Sequence, residues 1–478
     1  MEPITLVELA GATGGRLAGA DAPAGALVGP DVVIDSRQAS RGALFVALPG
    51  ERVDGHDFMA GAAEAGAAAA LVTREVDVPL PQVLVAGGVR ALADLATHVV
   101  ARGKARGLVV VGVTGSSGKT STKDLIASVL ESGGPTVAPP GSFNNEIGAP
   151  LTACRVDAAT RYLVTEMGAR GLGHVAALCR VTPPTIGAVL NVGHAHLGEF
   201  GSVEQIAVAK GELVEALDAN GWAVLNADDP RVIAMALRTQ ARVAAWSSRQ
   251  DPVETGAALR VWAADIDADE LQRHRFTLHV AGDDRPPARA DVTLRVLGEH
   301  QVANALAAAT VALAAGLEPD AVAAALSAAQ PRSRWRMELV ERTDGLAILN
   351  DSYNANPDSM SAALVALSRL RRPGGRLVAA LGDMLELGDG AASAHRGIGE
   401  LAAELGIDEL VATGAFGHDL IAGFGDAGSS RYVEDVPALT RHLDGSLGPA
   451  DVLLVKASRG LALDRVADAL VADGGARP

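Results

Sequence analysis

Short apolar runs alternate with amphipathic stretches along the whole chain, but the period of that alternation changes on the way. Over residues 1–106, strand-like pieces such as Val32-Val-Ile34 and Ala43-Leu-Phe-Val-Ala-Leu48 alternate with helix-like ones, including an alanine-rich stretch near 59–65. The glycine-broken polar segment Arg102-Gly-Lys-Ala-Arg-Gly107 ends this pattern, which predicts a small α/β domain. Residues 107–330 open on the apolar run Leu108-Val-Val-Val-Gly-Val113. Further apolar strands near 161–165, 185–192 and 222–226 are separated by helical stretches, among them those at about 119–130 and 202–218. Such strands predict a parallel sheet covered on both faces. Between 258 and 297 the period becomes two, with Phe276, Leu278, Val280 and then Val292, Leu294, Val296 alternating with other residues. This predicts a small, half-exposed antiparallel sheet appended to the same domain. Helices near 301–315 and 320–329 lead to Pro331-Arg-Ser-Arg334, the second expected boundary. Residues 331–478 carry strands at 346–350, 376–381, 409–413 and 451–457, and so predict a third α/β domain.

Size agrees with three domains of roughly 150 residues, because 478 residues exceed one ordinary core. Hydrophobic residues at 49% and charged ones at 21% indicate a globular chain, and aromatic content of 3% leaves Leu, Val and Ala to fill the cores. A net charge of -16 argues against affinity gained by neutralising a nucleic acid, while allowing an isolated phosphate pocket. Cys154 and Cys179, the only cysteines, are too few for a disulfide framework or cysteine metal cluster and suit a reducing compartment. The start lacks a basic, apolar secretory signal, and no apolar run approaches the roughly 20 residues of a membrane helix. The expectation is a cytoplasmic monomer with no nucleic-acid partner and no stable membrane insertion.

The run 108–113 continues into Gly112-Val-Thr-Gly-Ser-Ser-Gly-Lys-Thr120 and a helix. Backbone N–H groups of a glycine loop and of the helix start form a concave positive site for phosphate oxygens. Gly115 and Gly118 permit the required backbone, Ser116 and Ser117 complete the loop, Lys119 reaches the outer phosphates and the Thr120 hydroxyl suits magnesium. Val113 stands where the standard motif has its first glycine, so the assignment to ATP rests on the strand, loop, helix order. The alternative is a structural glycine turn with an incidental lysine.

In Tyr162-Leu-Val-Thr-Glu166-Met-Gly168 the carboxylate of Glu166 stands at the C-terminal end of a strand, where open α/β sheets hold ligands, and is the best hard oxygen ligand for magnesium. His194 and His196 follow another strand; the residues leave them level as contacts to magnesium or phosphate. Lys210 sits on the next helix, where an exposed lysine is the alternative. Asn145 lies in a loop with Asn144 and Glu146, while His300 and Asn304 precede or open an alanine-rich helix; Asn304 has groups for a base edge, though capping explains each as well. The run Asn350-Asp-Ser-Tyr-Asn-Ala-Asn356 has more polar groups than a helix cap needs and predicts ligand binding. Lys456 and Arg459 could hold a carboxylate or phosphate, against the alternative of a solvated basic pair.

Together these motifs resemble the ATP-dependent Mur ligases, which extend the peptide stem of the bacterial cell-wall precursor. Phe143-Asn-Asn-Glu-Ile-Gly148, Glu166-Met-Gly-Ala169, Ala209-Lys-Gly-Glu212, Asp351-Ser-Tyr-Asn-Ala-Asn-Pro357 and Gly382-Asp-Met-Leu-Glu-Leu-Gly388 carry the resemblance over nearly the whole chain and point to the last ligase of the series. It implies an α/β, three-domain architecture: a UDP-precursor domain (1–106), a central phosphate-loop ATPase-like parallel sheet (107–330) and a Rossmann-like C-terminal domain (331–478) that binds a dipeptide and closes. It makes Lys119 and Thr120 phosphate contacts, Glu166 a magnesium ligand, His196 rather than His194 a second aid to metal, and Lys210 a carbamylated, anionic ligand for another Mg2+. Asn304 with His300 matches an adenine segment. Arg336 and Asp351 match contacts made on closure, Lys456, Ser458 and Arg459 the site of the incoming amine, and Ser36, Arg37 and His56 the UDP end. Two departures are Ala457, where the family has glycine, and Trp335, where glycine usually precedes the arginine.

The implied reaction phosphorylates the terminal carboxylate of UDP-N-acetylmuramoyl-tripeptide with ATP, and the amine of D-alanyl-D-alanine displaces phosphate to form an amide, with the last domain excluding water. The rivals are a related ligase adding lysine or diaminopimelate, a folylpolyglutamate synthase, a phosphate-loop small-molecule kinase and a noncatalytic nucleotide-binding protein.

Overall fold

The computed structural model describes residues 1–20, 25–50, 53–193, 197–249 and 255–474. Three large sheets follow one another along the described residues, beside a two-stranded one that pairs Ile4–Thr5 with Leu27–Val28. In the first, Arg16–Gly19, Pro81–Leu84, Ala69–Val72, Leu44–Val46 and Val32–Val33 lie side by side, all parallel except the first. The helix Gly88–Lys104 leads from it, burying Leu92, Leu95 and Val99 in a core that includes Leu44 and Leu71 on one side and Val110 and Leu163 of the next sheet on the other. The first two sheets are thereby joined through shared apolar packing rather than through a polar linker alone.

The second sheet has nine strands. Val109–Thr114 is the third strand from one edge, with Ile186–Val189 on one side and Tyr162–Glu166 on the other, both parallel to it. The chain leaves this strand in both directions, which opens a crevice at the strands' C-terminal ends. The helices Lys119–Leu130 and His300–Ala314 cover one face; His174–Val181 and Val203–Glu215 cover the other. The antiparallel strands Leu259–Ala268, Arg273–Gly282 and Arg285–Leu297 are not a separate appended sheet. Leu259–Ala268 pairs parallel with Arg242–Ser247 and carries the antiparallel pair as a continuation of the same sheet. Their period-two pattern arises because only the face bearing Phe276, Leu278, Val280, Val292 and Leu294 meets that shared core.

In the third sheet the order is Glu338–Glu341, Ala347–Asn350, Val452–Lys456, Leu377–Leu381, Glu409–Ala412 and Ser429–Tyr432, parallel after the first pair. Val452–Lys456 returns between two earlier strands, so Pro357–Ser368, Ala391–Glu404 and Gly417–Phe424 pack on one face. Val436–Ser446 and the helix beginning at Asp464 pack on the other. Glu338–Glu341 and Ser429–Tyr432 had no counterpart among the expected strands: both are edges, only partly buried, and lack a continuous apolar run.

Candidate functional site

The strand Val109–Thr114 ends at the glycine loop, and the loop turns into Lys119–Leu130 through Gly118 at φ +76°. A Cβ at Gly118 would stand 2.7 Å from Asn304 Oδ1, so both conformation and space require glycine. Gly115 is buried behind the loop, and its carbonyl accepts a 2.7 Å hydrogen bond from Lys119 Nζ. Asn191, at the end of the neighbouring strand, accepts from the N–H groups of Ser116 and Ser117, both at 2.9 Å. That anchor was missed in the sequence, because a strand-end asparagine has no local signature until the strands are ordered.

Thr120 Oγ1 donates to Glu166 Oε2 at 2.8 Å, and Asn144 Nδ2 donates to Glu166 Oε1 at 2.7 Å. Glu166 is buried, yet lines the same cavity as the loop. Lys210 projects from Val203–Glu215 into this cavity and is 4% exposed. Its ammonium has no hydrogen-bond or ion-pair partner among the described residues. Burial, reinforced by repulsion from Lys119, holds it well below the usual lysine range. Lys119 is also lowered by burial, with Glu166 opposing that effect and Arg336 adding to it.

The facing wall comes from the third sheet. Lys456 ends the strand Val452–Lys456, is 1% exposed, and donates to Asp351 Oδ2 at 2.5 Å and Asn354 O at 2.9 Å. Asp351 in turn accepts from Met337 N at 3.1 Å. These bonds set the polar loop 351–356. Tyr353 bonds the Ser142 hydroxyl across the crevice and lies under Arg336, whose guanidinium carbon is 4.1 Å from the ring centroid. Arg336 Nε is buried without a hydrogen-bond partner, an orphaned donor in the cavity wall. Ser458 donates to Ala355 O at 3.5 Å and accepts from Leu385 N at 3.0 Å, while Arg459 is partly exposed. The enclosed volume is about 940 Å³.

Of the expected site residues, Ser116, Ser117, Gly118, Lys119, Thr120, Asn145, Glu166, Lys210, His300, Asn304, Arg336, Asp351, Asn354, Asn356, Lys456, Ser458 and Arg459 all line this one cavity. Several already have internal partners. Asn145 Oδ1 accepts from Gly148 N at 2.8 Å, and Asn356 forms a capping box on Pro357–Ser368. Asn304 accepts from Thr122 Oγ1 at 3.0 Å and donates to Gln301 Oε1 at 2.9 Å. His300 is pushed down by burial. His194 and His196 lie outside the described residues. Ser36, Arg37 and His56 are elsewhere, in the first segment. Arg37 is exposed and paired with Asp35 at 2.7 Å. His56 is buried; its Nδ1 bonds Asp54 at 2.6 Å and its Nε2 accepts from Thr73 N at 3.0 Å. Both ring nitrogens serve the fold, so in this structure His56 organises its segment and presents no ring nitrogen to a ligand.

Family models match most of the chain: "Mur ligase family, catalytic domain" over residues 31–110, "Mur ligase middle domain" over 113–312 and "Mur ligase, glutamate ligase domain" over 335–459. The chain belongs to the Mur ligase family. It is 49% identical over 489 residues to the UDP-N-acetylmuramoyl-tripeptide--D-alanyl-D-alanine ligase of Mycobacterium tuberculosis, covering 94% of each chain. The enzyme of that name from Escherichia coli is 36% identical over 484 residues, with 99% of this chain and 100% of the relative covered. A crystal structure of MurF from Acinetobacter baumannii superposes with a TM-score of 0.84 at 29% identity, covering 99% of both chains. A MurF ligase from Thermotoga maritima in complex with ADP gives 0.74 at 28% identity, covering 92% of this chain and 96% of that one. The Mur ligase chain described here has no helix among its described residues long and apolar enough to cross a membrane.

Proposed function

We propose that this Mur ligase joins D-alanyl-D-alanine to UDP-N-acetylmuramoyl-tripeptide with cleavage of ATP to ADP and phosphate. The observation that carries the reading is the single cavity in which Lys119, Glu166 and Lys210 of the central sheet face Arg336, Asp351 and Lys456 of the last one.

The glycine loop and the start of Lys119–Leu130 bind the phosphates, with Lys119 on the outer ones and the orphaned Arg336 Nε donor available to an anionic oxygen. Asn145, His300, Asn304 and Asp351 complete the nucleotide site. No group of three or more His, Cys, Asp or Glu side chains among the described residues is arranged to hold a metal. That suits Mg2+, which keeps waters and phosphate oxygens and needs few protein ligands. Thr120 and Glu166 would hold it, with His196 and carbamylated Lys210 as further ligands. The metal would neutralise charge on the transferring phosphoryl group. Lys210 suits carbamylation because its burial favours the neutral amine, the form that attacks carbon dioxide.

The precursor's carboxylate oxygen attacks the γ-phosphorus and ADP leaves; the dipeptide amine then attacks the acyl carbon and phosphate leaves with the C–O bond. Lys119 stabilises charge on the phosphoryl oxygens during the first step. Residues 1–106, with Ser36 and Arg37, bind the UDP end; 107–330 bind ATP; and 331–478 bind the dipeptide through Asn354, Asn356, Lys456, Ser458 and Arg459, closing to keep water from the acyl phosphate.

Mass analysis after incubation with ATP, magnesium, the UDP-linked tripeptide and either the dipeptide or single amino acids tests this directly. The UDP-linked pentapeptide should form with the dipeptide alone. Product with lysine or diaminopimelate, or a phosphorylated acceptor without amine consumption, would refute the proposal.

A further inference from the structure

Arg336 is flanked by two non-glycine residues in the left-handed region, Trp335 at φ +61° and Met337 at φ +52°. For a bulky side chain this conformation is disfavoured and persists only where its surroundings hold it. Glycine would make the same turn without strain, so the indole at 335 supplies something that a hydrogen atom cannot.

The Arg459 guanidinium carbon lies 4.3 Å from the Trp335 ring centroid, and Arg459 Nη1 is 2.8 Å from Asp464 Oδ1. The turn itself is fixed by Trp335 N donating to Glu338 Oε2 at 2.9 Å. Arg459 lines the cavity with its side chain 49% exposed, which leaves N–H donors for a ligand. That contact is a charge pair in which Asp464 Oδ1 accepts no hydrogen bond, so a guanidinium held by it alone would still pivot. Stacking its planar face on the indole removes that freedom.

We propose that Trp335 is a positioning residue for the amine substrate: its indole face fixes the Arg459 guanidinium so that the free donors receive the C-terminal carboxylate of the incoming dipeptide. This rests on the role given to Arg459 in the proposed function. A cation oriented beforehand lowers the ordering cost of binding, so its signature is a lower KM for the dipeptide rather than faster chemistry.

The test is a double-mutant cycle of Trp335→Leu, which keeps bulk at the strained position but has no π face, with Arg459→Ala, and with Trp335→Phe as the conservative variant. Trp335→Leu should raise KM for D-alanyl-D-alanine about fivefold while KM for ATP and kcat change less than about twofold. Trp335→Phe should recover most of the loss, and Trp335→Leu should add nothing when Arg459 is already alanine. Equal effects of Trp335→Leu with and without Arg459, or equal impairment by Phe and Leu, would overturn the proposal. An unchanged dipeptide KM in Arg459→Ala would instead remove the role assigned to Arg459, and this inference with it.

Discussion

A buried lysine ammonium with no partner among the described residues is the most consequential residue-scale feature of the cavity. Lys210 releases its proton more readily folded than unfolded, where the ordinary lysine value of 10.5 applies. The unfolded chain therefore holds more protons between those two values, and stability rises with pH across that window. Replacing Lys210 with Met removes the penalty. In carbon-dioxide-free buffer the variant should be more stable than the parent below the folded pKa of Lys210, with the gap closing as pH approaches 10.5. Urea midpoints measured across pH check this, and a gap independent of pH would contradict it. Activity of the same variant should fall at least about a hundredfold. Lys119, Thr120 and Glu166 were legible in the sequence because a loop and a strand end fix where such groups point. His56 shows the limit: a polar residue beside a turn reads alike whether it meets a ligand or a backbone N–H, and only tertiary packing decides which.

At the scale of elements, continuous apolar strands revealed the parallel sheets, and a change to period two revealed the strands covered on one face. Edge strands stayed hidden because half of their surface is free of the packing constraint that writes a pattern. The glycine loop depends on a join between elements, with Gly118 left-handed and against Asn304. Gly118→Ala should destabilise the chain by about 1–2 kcal/mol and raise KM for ATP at least about tenfold; thermal melting and ATP-dependent kinetics measure both. Cys154 and Cys179 lie deep in two different cores, and burial pushes both thiols up to about 12. Neither should react with a maleimide in the native protein at neutral pH, and both should react in denaturant. Rapid native labelling would show that these cores open.

Across the whole molecule, the cavity exists because the second and third sheets meet around it. Tyr353 bonds Ser142 over the crevice, and Arg369 Nη1 of the last segment pairs with Glu299 Oε2 of the central one at 2.7 Å. Tyr353→Phe keeps the ring beneath Arg336 but loses the bond between walls, and should lower kcat about fivefold. Tyr353→Ala also loses the stack and should cost more; equal rates for the two variants would place the effect in the hydroxyl alone. The sequence indicated which loops belonged to the site, but their meeting depends on packing between sheets far apart in the chain, which no local spacing encodes. The central claim is that this shared cavity transfers a phosphoryl group to the precursor's carboxylate. With that terminal carboxylate labelled with 18O in both oxygens, the phosphate released during ligation should carry one 18O atom, because the acyl C–O bond is the one that breaks. Phosphate released without 18O, alongside normal amide formation, would contradict it.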